Sequence, residues 1–156
     1  MTVWISKVRA LSGVERRTLA ISLVLLPLVG LGLRVFGYQR TQRALARISP
    51  RKAAESDARD QVEQARIIAG SVRIAARRGL YRATCLRESL ALWWLLRRRG
   101  IISDLRIGVD KQSEAFNAHA WIEVAGIPVN DAIDVAQRFR TLVGSGCKGY
   151  PRNSRE

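Results

Sequence analysis

The spacing of apolar positions changes near residue 100, from a helical period of three to four residues to strict alternation. Upstream, a hydrophobic segment near 13–36 is followed by a basic one near 39–48, which Ser49-Pro50 stops. Ala54, Ala58, Val62, Ala65, Ile68 and Val72 then mark one stripe of a long helix near 53–78, closed by Gly79. A further amphipathic helix opens at Cys85 and buries Leu86, Leu90, Trp93 and Trp94. It ends in Arg97-Arg98-Arg99-Gly100, cations against the negative helix end and then a glycine cap. Downstream, Leu105, Ile107 and Val109 alternate with Arg106, Gly108 and Asp110, which predicts a first strand. Ala118–Val124 and Ile127–Asp131 predict two more, a short helix is expected near Asp134–Leu142, and a loose basic tail from Gly144. Helices first and an antiparallel sheet afterwards is an α+β plan. It divides into a hydrophobic and basic region over 1–52, a core over 53–143 and a tail over 144–156.

Charge alters this picture more than composition does. The net charge is +14, and residues 1–100 hold all of it, with 20 basic and 6 acidic residues against 7 of each thereafter. The helical half therefore suits an anionic partner, although solvation of helix faces accounts equally well for many of these arginines. No aromatic-rich basic strand or DNA-binding motif accompanies the charge, so nucleic acid is not expected. The two cysteines, Cys85 and Cys147, make no disulfide framework, and with a single histidine they offer no zinc-ligand spacing. A reducing, cytoplasmic setting follows.

Leu19 to Leu33 is an uncharged run of fifteen residues bounded by Arg16, Arg17 and Arg34. As a helix it spans about 22 Å, short of a hydrocarbon core of about 30 Å. The nearest Ala-x-Ala, Ala44-Leu45-Ala46, lies beyond several arginines, which is poor signal-cleavage chemistry. A buried or partner-facing helix is the expectation, with contact at a membrane surface as the alternative.

Chemistry concentrates in three residues on three successive elements. Cys85 lies in the first turn of a helix, where unpaired amides and the helix dipole favour a thiolate, and Thr84 stands at the N-cap. Arg87 nearby favours the thiolate as well, while Glu88 opposes it. His119, the only histidine of the chain, sits in the second strand, and Asp131 ends the third. A thiol, an imidazole and a carboxylate in this setting read as a cysteine-peptidase triad. Trp121 and Arg87 are the candidates for contact with substrate, although an aromatic in such a strand is more often wall or core.

The hairpin between the second and third strands tests the triad. A three-residue loop, Val124-Ala125-Gly126, would oppose His119 to Asp131 on one sheet face. A two-residue turn, Ala125-Gly126, would oppose His119 to Ala132 and turn Asp131 away. The triad thus requires the bulged loop or an equivalent local shift.

The stretch Ala83-Thr84-Cys85-Leu86-Arg87-Glu88-Ser89-Leu90-Ala91, with Leu95 to Ile101, Leu105-Arg106-Ile107-Gly108-Val109 and Ala118 to Gly126, resembles the lasso-peptide leader peptidases. These microcin-processing proteins have a transglutaminase-like, papain-related core. The strong likeness covers about residues 80–131, and the hydrophobic, Arg-rich N-terminal region resembles the family's compact form without a leader-binding domain. The resemblance implies cleavage of the leader from a ribosomally made lasso precursor, with no cofactor or metal. Cys85 would be the nucleophile, His119 the base and Asp131 the orienting acid, with the neighbouring Asn130 as an alternative in that third role. It also implies three partners: the precursor peptide, a separate RiPP recognition element protein and an ATP-dependent lasso cyclase. The competing readings are another acyl-transfer or amide-hydrolysing enzyme on the same fold, and a basic membrane-associated binding module.

Overall fold

The computed structural model describes residues 12–49, 57–78, 84–110 and 117–145. Its elements run α1 (Gly13–Arg47), α2 (Ala58–Arg78), α3 (Cys85–Arg98), β1 (Asp104–Asp110), β2 (Ala118–Val124), β3 (Ile127–Pro128), α4 (Val135–Arg138) and β4 (Phe139–Ser145). The expected α+β plan holds, helices first and then one antiparallel sheet of four strands in the order β3-β2-β1-β4. The expected Gly79 stop, Ala54, Cys147 and the tail beyond Ser145 lie outside the described residues.

α1 contains both helical segments expected near 13–36 and 39–48. A capping box opens it, with Ser12 accepting from the Glu15 amide at 3.3 Å and the Glu15 carboxylate accepting from the Ser12 amide at 2.8 Å. Gly37 breaks it, with φ at 74° and ψ at 176°. The break is sharp, because a Cβ on Gly32 would lie 3.1 Å from Thr41. Nine residues of straight helix would separate those positions by about 13 Å.

The inner face of α1, through Leu19, Leu25, Leu26 and Val29, shares one core with Val62, Ala65, Ile68 and Val72 of α2 and Leu90, Leu92 and Leu96 of α3. Two contacts set α3 against α1. Arg99 Nη2 donates to Thr18 Oγ1 at 2.8 Å, and the Arg87 side chain lies against Gly30, where an added Cβ would meet Nε at 3.1 Å. Thr18 and Gly30 are twelve residues apart, as are Arg99 and Arg87. The two helices are therefore antiparallel and run side by side.

α3 ends as its sequence predicts. Gly100 takes a φ of 75°, and the Gly100 and Ile101 amides return to the carbonyls of Arg97 and Leu96 at 3.1 and 3.0 Å. This is a Schellman closure, for which glycine is the natural residue.

In β2, alternate side chains serve different cores. Ile122 and Val124 join the helices, whereas Trp121 packs with Val135 and Phe139 in a second small cluster. Phe139 belongs to β4, an element unlike the expected one. The segment expected as a helix near 134–142 is helical only over Val135–Arg138, and Phe139–Ser145 is a strand paired with β1. Pairing across the sheet overrides the weak local helical pattern.

Candidate active site

Cys85 occupies the first turn of α3, with Thr84 at the N-cap in an extended conformation (φ −75°, ψ 159°) but without a hydroxyl cap bond. The first-turn amides are thus left free for another acceptor, and the Leu86 amide bonds the sulfur. The Ala120 amide, from β2, bonds it as well. His119, two residues from Trp121 on the same strand face, packs beside two aromatic rings. Its centroid is 5.0 Å from that of Phe139 and 6.3 Å from that of Trp121.

His119 Nε2 is hydrogen-bonded to Asp131 Oδ2, and the ring is also hydrogen-bonded to the Cys85 thiol. With Nε2 committed to the carboxylate, Nδ1 is the nitrogen that faces the sulfur. The His119 bond, supported by the Ala120 and Leu86 amides, holds the Cys85 thiol below its ordinary pKa against the opposing effect of burial. The same bond, and next the bond to Asp131, lifts His119 to about 9. The two shifts together favour a thiolate facing an imidazolium, the form in which a cysteine is reactive.

The turn that delivers Asp131 is not the expected one. Val124 pairs with Ile127 and Glu123 with Pro128, so the loop is the two-residue Ala125-Gly126. Both residues have positive φ, 50° and 78°, as in a type I′ turn. Continued, this register would oppose His119 to Ala132. It does not continue. The Val129 amide still donates to the Ile122 carbonyl at 3.0 Å, but the Ile122 amide donates to the side chain of Asn130, Oδ1, at 2.7 Å. A side-chain oxygen takes the place of a main-chain acceptor, the strand leaves the ladder, and Asp131 reaches the imidazole.

Asn130 is therefore occupied elsewhere and does not orient His119. Its amide donates to Ser89 Oγ at 3.1 Å, and Ser89 donates to the Ala120 carbonyl at 2.9 Å. On the outer side, Arg73 Nη2 donates to the Asn130 carbonyl at 2.5 Å, and Arg73 Nε lies 3.9 Å from Glu88. Burial, opposed by Arg73 and Arg77, raises the Glu88 pKa.

An open cleft of about 540 Å³ borders Cys85, His119 and Asp131, and Arg73, Arg77 and Glu88 also line it. Sequence reasoning did not single out Arg73 or Arg77, because helix-face arginines one turn apart look like solvated surface. Neither substrate-contact candidate faces this space. Trp121 is fully buried behind His119, its indole donating to Glu123 at 2.9 Å, and Arg87 lies against α1 at Gly30. Among the described residues no cluster of His, Cys, Asp and Glu could hold a metal ion.

The profile of the transglutaminase-like superfamily matches residues 24–144, from within α1 to within β4. The chain belongs to that superfamily. Within it, the resemblance to microcin-processing proteins is borne out by a partial likeness. The microcin J25-processing protein McjB of Escherichia coli is 33% identical over 63 residues, 40% of this chain and 29% of the relative. The chain thus spans less than a third of that curated relative. No solved structure matches significantly.

Proposed function

We propose that this transglutaminase-like protein is a cysteine peptidase that removes the leader from a lasso-peptide precursor. The observation that carries the reading is the hydrogen-bonded line Cys85–His119–Asp131 on the wall of an open cleft. The substrate class rests on the partial likeness to a microcin-processing protein.

In this reading the Cys85 thiolate adds to the scissile carbonyl carbon, and the C–N bond breaks as the His119 imidazolium gives its proton to the leaving amine. The acyl group remains on sulfur as a thioester. Water then attacks it, neutral His119 takes the water's proton, and the thiolate departs. Asp131 holds the ring in the orientation and tautomer that both steps need. A thiol, an imidazole and a carboxylate suffice for this chemistry without a cofactor, and a reducing cytoplasm keeps the thiol free. By the resemblance, a RiPP recognition element protein presents the leader and an ATP-dependent cyclase closes the ring after its removal.

Mass spectrometry of a cognate precursor incubated with the chain and its recognition partner tests the proposal. Leader release by wild type and none by Cys85→Ala is expected. Cleavage that survives Cys85→Ala would overturn it. The superfamily match favours acyl transfer more broadly than hydrolysis, so a second reading has an amine, rather than water, receive the acyl group. Adding a primary amine and weighing the product separates the two.

A further inference from the structure

α1 is apolar on both sides. Its inner side is spent on the core, with Leu25, Leu26 and Val29 buried. Its outer side leaves Val24, Leu28, Leu31 and Val35 exposed by 63%, 59%, 59% and 60%. At about 100° per residue, Arg17, Ile21, Val24, Leu28, Leu31 and Val35 fall within one arc of about 80°, and the apolar part is about 21 Å long. Arginines bound it: Arg17 continues the stripe at one end, and Arg16 and Arg34, both exposed, lie at its edge. No acidic residue occurs between Arg16 and Ala54.

At the Arg17 end a second cation is poised. Arg99 reaches Thr18 with Nη2, lies close enough to Arg17 for their charges to repel, and has a buried Nη1 without a hydrogen-bond partner. The Arg99 charge adds to the positive field at this end of the stripe, which favours an anionic surface.

We propose that the outer face of α1 docks on an anionic lipid surface, with the helix lying in the plane of the interface. Apolar side chains enter the headgroup boundary while Arg16, Arg17 and Arg34 meet lipid phosphates. By length and composition α1 could cross a membrane. Its inner face, however, is sealed against α2 and α3 and carries Thr18 and Ser22, so lipid cannot surround it. A second copy is a poor occupant, because it brings another +14 and no acid in the matching segment. This inference does not depend on the peptidase reading.

Sedimentation of the full chain with vesicles tests it, using phosphatidylcholine alone or with about a quarter phosphatidylglycerol. The wild type is expected to pellet with the anionic vesicles. Leu28→Gln with Leu31→Gln is expected to weaken that binding about tenfold or more, with an unchanged circular dichroism spectrum. Arg16→Gln with Arg17→Gln and Arg34→Gln is expected to remove the preference for anionic lipid. Absence of pelleting, or pelleting that the leucine variant retains, overturns the proposal. So does a dimer in analytical ultracentrifugation that the leucine variant abolishes, which would give the face to a second copy.

Discussion

Asn130 Nδ2 donates to Ser89 Oγ at 3.1 Å, joining the segment that carries Asp131 to the helix that carries Cys85. The bond is buried, and Ser89 passes it on to the Ala120 carbonyl of the His119 strand. The segments that hold Cys85, His119 and Asp131 thus meet in one small polar network.

Asn130→Ala would leave the Ile122 amide without its acceptor inside the fold. The expected cost is about 1–3 kcal/mol, the range for an orphaned buried donor. Because Asp131 follows directly, turnover should fall more than the stability loss explains. Urea unfolding beside peptidase rates checks both. A variant as active as wild type would mean that Asp131 is positioned without the Asn130 bond.

His119 is the only histidine, so its titration can be followed without assignment ambiguity by NMR. Asp131→Asn removes the carboxylate that helps raise it. Its pKa should fall from about 9, and turnover should drop by about 10²–10⁴-fold, as when the orienting acid of a triad is lost. An unmoved titration would show that Asp131 does not act on the ring in solution.

The paired shifts give pH limits. Activity should rise through the lowered Cys85 pKa and fall as His119 deprotonates at about 9. For stability, the folded His119 pKa lies above its ordinary 6.5. Its contribution is complete below 6.5 and is lost as pH climbs through about 9. Thermal unfolding of wild type and Cys85→Ala across that window should therefore converge in the alkaline range. Parallel curves would argue against the ion pair.

Gly108, opposite His119 in the β1–β2 pairing, sits at a bulge of β1 against β4. A Cβ there would come within 3.0 Å of the Arg140 carbonyl and of Phe139, and 3.1 Å of Trp121. Main-chain and ring atoms cannot swing aside as a flexible side chain would. Gly108→Ala should cost about 1–3 kcal/mol, typical of overpacking, and loosen the aromatic wall behind the imidazole. Thermal melts and the His119 chemical shift report the two effects separately, and a neutral melt would refute the crowding.

Much of this site was legible because its residues sit where local rules are strong. The break in period near residue 100 marks β1 and β2, and the cap residues place both ends of α3. The hairpin was harder. Its loop is shorter than the triad appeared to need, and the repair is made by one side chain, Asn130, standing in for a peptide carbonyl. Substitution of that kind has no periodic signature. β4 was missed because its evidence lies in β1, about thirty residues upstream. That omission explains Trp121, which period-two spacing alone leaves open to the cleft side. Phe139 of β4, 6.2 Å away between ring centroids, helps close it off.

The antiparallel contact of α1 and α3 acts as a longitudinal gauge for Cys85. Arg99 is tied to Thr18 at one end and Arg87 rests on Gly30 toward the other, so α3 has little freedom to slide along its own axis. Each residue of axial slip would carry Cys85 about 1.5 Å past the sheet-borne imidazole, half the length of a hydrogen bond. The alignment of sulfur and ring is thus set partly at the far end of the helix from the chemistry. Changes at Thr18 or Arg99 would reach the cleft as a shift in register rather than as a lost contact.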